Sequence, residues 1–130
     1  MISHVHVGVA DFALAWRFYK AVMPLLGLKV RFTEPDKGWG GWQAPDHGRP
    51  LFLIGRPFDG QAADPGNGNM IALLAPDRST VDRVFAAALA AGGNSEGAPG
   101  LRPQYHPNYY GAYFRDLDGN KLCVCCHEPA

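Results

Sequence analysis

Sulfur is concentrated in one short stretch of this chain. The run Lys121–His127 reads KLCVCCH and contains all three cysteines. A thiolate is a nucleophile and a soft metal ligand, whereas a buried, protonated thiol behaves as a small hydrophobe. Two other stretches carry side chains capable of chemistry. Near the start, HVHV places His4 and His6 two residues apart. Further on, RPQYHPNYYG gathers Arg102, Tyr105, His106, Tyr109 and Tyr110. Such a segment reads as a rim or lid that meets a ligand with aromatic faces and hydroxyls, with one tyrosine of each alternating pair packing inside a strand.

What these groups can do depends on the elements that carry them. HVHVGVAD (His4–Asp11) and MIALLAPD (Met70–Asp77) are both strand-like runs closed by an Asp that can cap a helix. Helical spacing follows each. Phe12, Ala15, Trp16, Tyr19, Val22 and Met23 recur in the first, and Val81, Val84, Phe85, Ala88 and Leu89 in the second. Pro24 ends or kinks the first helix, and Gly27 and Gly92 stand where C-terminal caps belong.

Strand-like pieces come next: Leu28–Thr33, Gly40–Ala44 and Leu51–Gly55 in the first half. The second half offers a weak piece near Leu101, then Tyr109–Arg115 and Lys121–His127, the last two joined by the turn sequence DLDGN. The chain thus reads as one α+β domain of two βαβββ modules, about 1–56 and about 69–130, with a Gly/Pro-rich linker at about 57–68.

Alternation on strands decides facing. Val5, Val7 and Val9 should pack on the helices, leaving His4 and His6 on the opposite face. Cys123 and Cys125 should share a face with Ile54, Ala72 and Leu74 nearby, while Cys126 turns inward with Leu122 and Val124. Trp39 and Trp42, three apart, should point to opposite sides of their strand. GNGN (Gly66–Asn69) is a turn rather than a phosphate loop, because no Lys-Ser/Thr follows it. His47 is a loop residue, and Asp116 and Asp118 belong to a hairpin turn.

Composition narrows the function. Twelve basic residues balance twelve acidic ones, and no basic block points to nucleic acid. No apolar run is long enough to span a bilayer, and the start lacks the pattern of a signal peptide. Three clustered cysteines do not make a disulfide framework. A cytoplasmic location with reduced thiols is the expectation, with no nucleic-acid or membrane partner.

SHVHVGVADFALAWRFYKAVMPLLGL and YYGAYFRDLDGNKLCV, in this order, resemble the vicinal oxygen chelate superfamily. That group includes glyoxalase I, extradiol dioxygenases, fosfomycin-resistance enzymes and bleomycin-binding proteins. APGLRPQYHPNYYGAYF is similar to a glyoxalase-like subgroup. The resemblance implies a curved, incompletely closed, eight-stranded sheet around a central cavity, and a homodimer. In metal-using members, four strands each aim one His, Glu or Gln into the cavity.

Carried onto this sequence, those four positions read His4, Phe52, Met70 and Cys123. Isomerisation next to a carbonyl needs a divalent ion and a carboxylate base, and extradiol cleavage needs two His and a carboxylate on iron. Neither set is present. Three readings follow. The first is a small-molecule-binding protein with a degenerate metal site, binding or transforming a small, mostly apolar ligand in the cup. His4, His6, Phe52, Met70, Tyr105, His106, Tyr110, Cys123 and Cys125 would line that pocket, and no cofactor is favoured. The second is a lyase or dioxygenase using a divalent or soft transition metal on His4, Met70 and Cys123. The third is thiol-based detoxification, with His4 lowering the Cys123 pKa, so that His4 and Cys123 are the catalytic candidates.

Overall fold

The computed structural model describes residues 1–46 and 48–130; His47, read above as a loop residue, lies outside the described residues. Strand β1 (His4–Gly8) leads into helix α1 (Phe12–Val22), a 3₁₀ turn (Met23–Leu26), and strands β2 (Lys29–Glu34), β3 (Trp39–Gln43) and β4 (Leu51–Gly55). The second half repeats the order with β5 (Ile71–Leu74), α2 (Arg78–Ala90), β6 (Asn94–Leu101), β7 (Tyr110–Arg115) and β8 (Lys121–Cys126). Two four-stranded mixed sheets result, ordered β1-β4-β3-β2 and β5-β8-β7-β6, and they do not close into a barrel. Among the described residues no helix is long and apolar enough to cross a membrane.

Both helices start on the Asp that the sequence marks. Asp11 Oδ1 accepts from the Leu14 amide at 3.1 Å. Asp77 Oδ1 accepts from both the amide and the hydroxyl of Thr80, each at 2.7 Å. These bonds satisfy amides that the first turn of a helix leaves without partners. Pro24 opens the 3₁₀ turn that follows α1, and Gly27 closes it at φ 76°, a left-handed conformation open to glycine.

A single core lies between the helices and one face of each sheet. Val7, Phe52, Ile54 and Trp42 belong to it from the first half, and Ala112, Phe114, Leu122, Val124 and Cys126 from the second. Trp42 stacks on Trp16 with ring centroids 4.2 Å apart, and Tyr19 packs on Phe52 at 5.2 Å. Each such fully buried side chain contributes about 1.5–3 kcal/mol. Cys126 takes its expected place here, as one of three free, buried cysteines. Trp39 faces the other way, against Phe32.

The halves are joined at one end of the seam. Asp118 Oδ1 accepts from the Ala10 amide at 2.9 Å, Asn120 Nδ2 donates to the Gly8 carbonyl at 3.0 Å, and Tyr19 Oη donates to Asp116 Oδ2 at 2.6 Å.

Strand β6 begins well before the weak piece expected near Leu101. Its sequence NSEGAPGL is poor in strand formers. It forms because it lies on the edge of its sheet, with register shifts at Ser95/Gly97 and Gly97/Gly100. An edge strand tolerates both proline and bulges.

Candidate functional site

Paired residues on neighbouring strands share a face, so the register assigns each candidate. His4 stands opposite Leu51 and His6 opposite Leu53, whereas Phe52 stands opposite Val5. Phe52 therefore faces the helices, not the side of His4. In the second half Ala72 pairs with Cys123 and Leu74 with Cys125. Matching His4 to Met70, the counterpart of Cys123 in the first half is Leu53 rather than Phe52. Ile54, expected beside the thiols, also lies in the core. The four positions thus read His4, Leu53, Met70 and Cys123, again without a carboxylate.

These positions differ in burial and in partners. His4 is exposed, with Nδ1 3.0 Å from Ser3 Oγ. Met70 is 41% exposed and lines a small cleft of about 160 Å³ with His6, Gly8 and Lys121. Partial burial, and then the nearby His4, hold the His6 imidazole below its ordinary value. Cys123 is completely buried. Among the described residues, no three His, Cys, Asp or Glu side chains gather as metal ligands. The donor set does not fit the metal of either familiar chemistry.

The groups that do gather surround the thiols. Tyr113 pairs with Cys123 and Gly111 with Cys125 across β7 and β8. Tyr109 Oη lies 3.4 Å from Cys123 Sγ and 3.1 Å from Tyr113 Oη. The Arg102 guanidinium sits 5.5 Å from the Tyr113 ring centre. Hydrogen bonding from Cys125 lowers the Cys123 pKa to about 7; burial opposes this, and Tyr109 and Tyr113 add to it. The same contact with Cys123, together with burial, pushes the Cys125 thiol far up. His4, expected to lower the Cys123 pKa, is not among these causes.

Tyr110, expected in the pocket, points to α2. Its hydroxyl donates to Asp82 Oδ1 at 2.6 Å, and Arg78 lies over its ring. Tyr109 is the member of the pair that faces the thiols. Tyr105 is 62% exposed and packs edge-on against Tyr109. His106 meets His127 at 2.8 Å. His127 continues the alternation of Cys123 and Cys125, the one sequence signal that places it on their face.

A larger open space than the cleft at Met70 lies elsewhere. A groove of about 990 Å³ runs between the halves. Ile2, Val5, Trp42 and Phe52 line it from the first half, Ile71–Pro76 from the second, and His127 and Glu128 at its rim. Neither His4 nor Cys123 lines it. Among the described residues the buried Trp42 indole N–H has no hydrogen-bond partner.

Comparison with known proteins agrees with this architecture. The model of the Glyoxalase/Bleomycin resistance protein/Dioxygenase superfamily matches residues 1–124. A glyoxalase/bleomycin resistance protein from Albidiferax ferrireducens T118 is 35% identical, covering 97% of this chain and 98% of that one, with a TM-score of 0.87. A hypothetical protein from S. aureus is 26% identical, covering 97% and 91%, with a TM-score of 0.70. A lactoylglutathione lyase from Agrobacterium tumefaciens, 21% identical over 97% and 92%, shares the fold with a TM-score of 0.65. No curated protein matches the chain. With the family model spanning nearly its whole length and two βαβββ modules in place, this chain belongs to the glyoxalase/bleomycin resistance protein/dioxygenase superfamily.

Proposed function

We propose that the chain holds a small, mostly apolar molecule in the groove between its halves, without the metal chemistry of the glyoxalases and dioxygenases. The observation that carries this reading is the groove itself. At about 990 Å³, walled by Val5, Trp42, Phe52 and Ile71–Pro76, it has the size and lining of a small-molecule site. The metal-free part rests on donor chemistry. Leu53 has no donor atom, a thioether is a weak ligand, and no carboxylate stands at any of the four positions to act as base.

A screen of apolar small molecules by thermal shift and Trp fluorescence tests the reading. Leu74 is 70% exposed at the groove, so Leu74→Arg should leave the fold intact while weakening binding roughly tenfold or more. Stoichiometric metal in protein purified without chelator, lost in His4→Ala, would instead establish the metal-dependent alternative. The resemblance also implies a homodimer. If Leu74→Arg changes the sedimentation of the protein while ligand affinity is unaltered, the groove is a seam between copies and the binding reading fails.

A further inference from the structure

The hydrogen bonds around His106 and His127 determine where their protons lie. The Asn108 amide donates to His106 Nδ1 at 3.1 Å. An amide can only donate, so neutral His106 carries its proton on Nε2. That N–H points at His127 Nδ1, 2.8 Å away, which must accept. Neutral His127 then carries its own proton on Nε2, which faces Cys125 Sγ at 3.8 Å. The chain of donors runs in one direction, from the loop to the thiol.

The two imidazoles also box in Tyr109. Its ring lies 5.7 Å from His106, 5.4 Å from His127 and 4.9 Å from Tyr105, centre to centre. It passes over Gly111, where a Cβ would come within 2.9 Å of Cε1. Beneath it, Cys123 is fully buried and Cys125 is 5% exposed. The backbone at Tyr109 is fastened, because its carbonyl accepts from the Arg102 amide at 2.8 Å. The side chain is held only through its ring contacts and its hydroxyl, 3.4 Å from Cys123 Sγ and 3.1 Å from Tyr113 Oη.

We propose that Tyr109 is a side-chain gate over the Cys123 and Cys125 thiols, and that the His106–His127 pair is its acid-sensitive latch. Proton counting gives the direction. A first added proton has two places to go. On His106 Nδ1 it sets two donors face to face and displaces the Asn108 amide. On His127 Nδ1 it opposes the His106 N–H. Either way one of the two bonds holding His106 is lost, and the box around Tyr109 loosens. The other titratable groups facing the pair are Tyr105, Tyr109 and Cys125. Glu128 follows in the exposed tail, and the Arg102 guanidinium is turned to the Ala98 and Gly100 carbonyls.

Iodoacetamide labelling, resolved by fragment mass spectrometry, tests the gate. Protection of Cys123 and Cys125 is taken relative to the denaturant-unfolded chain at the same pH, which removes the intrinsic pH dependence of thiols. It should fall roughly tenfold between about pH 7.5 and about pH 5.5. Tyr109→Ala should abolish protection at both values. His106→Phe/His127→Phe, which keeps the rings but not the nitrogens, should flatten the pH dependence. Constant protection in the unsubstituted protein, or slow labelling in Tyr109→Ala, overturns the proposal. Nitrogen-resolved NMR of the imidazoles needs no variant: both should carry the Nε2 proton at neutral pH, and a His106 proton on Nδ1 there also overturns it.

Discussion

Tyr19 on α1 donates its hydroxyl to Asp116 Oδ2 at 2.6 Å, across the boundary between the two βαβββ halves. Both residues are buried, at 0% and 2% exposure. Burial, and then the Asp116 charge, raise the Tyr19 pKa well above its ordinary value, so the phenol stays a donor. Asp116 also accepts from the Asp118 and Asn120 amides and from Asn120 Nδ2. One carboxylate therefore closes the β7–β8 turn and ties it to the opposite half. Tyr19→Phe should cost about 1–3 kcal/mol, the range for stranding one partner of a buried hydrogen bond, read as a lower urea midpoint.

The thiol pair yields a titration. The strongest influence lowering Cys123 is the Cys125 S–H. Cys125→Ala should return the Cys123 pKa from about 7 toward the ordinary thiol range of about 8.5. Cys125→Ser retains a donor and should hold it down. Thiolate absorbance against pH distinguishes the two variants. A depressed acid stabilises the fold in its charged form. The Cys123 contribution is therefore complete above the unfolded thiol value and is lost as pH falls through about 7.

Gly41 on β3 makes a steric prediction. A Cβ there would come within 2.8 Å of the Phe52 carbonyl oxygen and overlap Leu53 Cδ2. Leu53 can turn aside, but the β4 backbone cannot. Gly41→Ala should therefore destabilise the protein by about 1–3 kcal/mol, seen as a reduced midpoint in urea.

The sequence was most legible where a residue acts through its backbone or its neighbours. Asp11, Asp77, Pro24 and Gly27 marked helix ends, because caps and breakers work within one turn. Strand β4 matches Leu51–Gly55, but its facing does not follow from the sequence. LFLIG is apolar and buried throughout, so alternation carries no information about sides, and Leu53 rather than Phe52 occupies the face of His6. In KLCVCCH the polar ends Lys121 and His127 flank the alternation, and the facing of Cys123 and Cys125 was readable. Tyr109 and Tyr110 were ambiguous for another reason: which one faces the thiols depends on where the turn before β7 ends. The groove between the halves has no local signature, because its walls come from both modules.

Among the described residues, the three hydrogen bonds between the halves lie at one end of the seam, where β1 ends and the β7–β8 turn begins. The groove is lined by Ile2, Pro76 and His127, which lie away from that end of β1. The Tyr19–Asp116 clasp therefore fixes the spacing of the modules where β1 ends, and at the Ile2–Pro76 side the two modules meet through side-chain packing of the shared core.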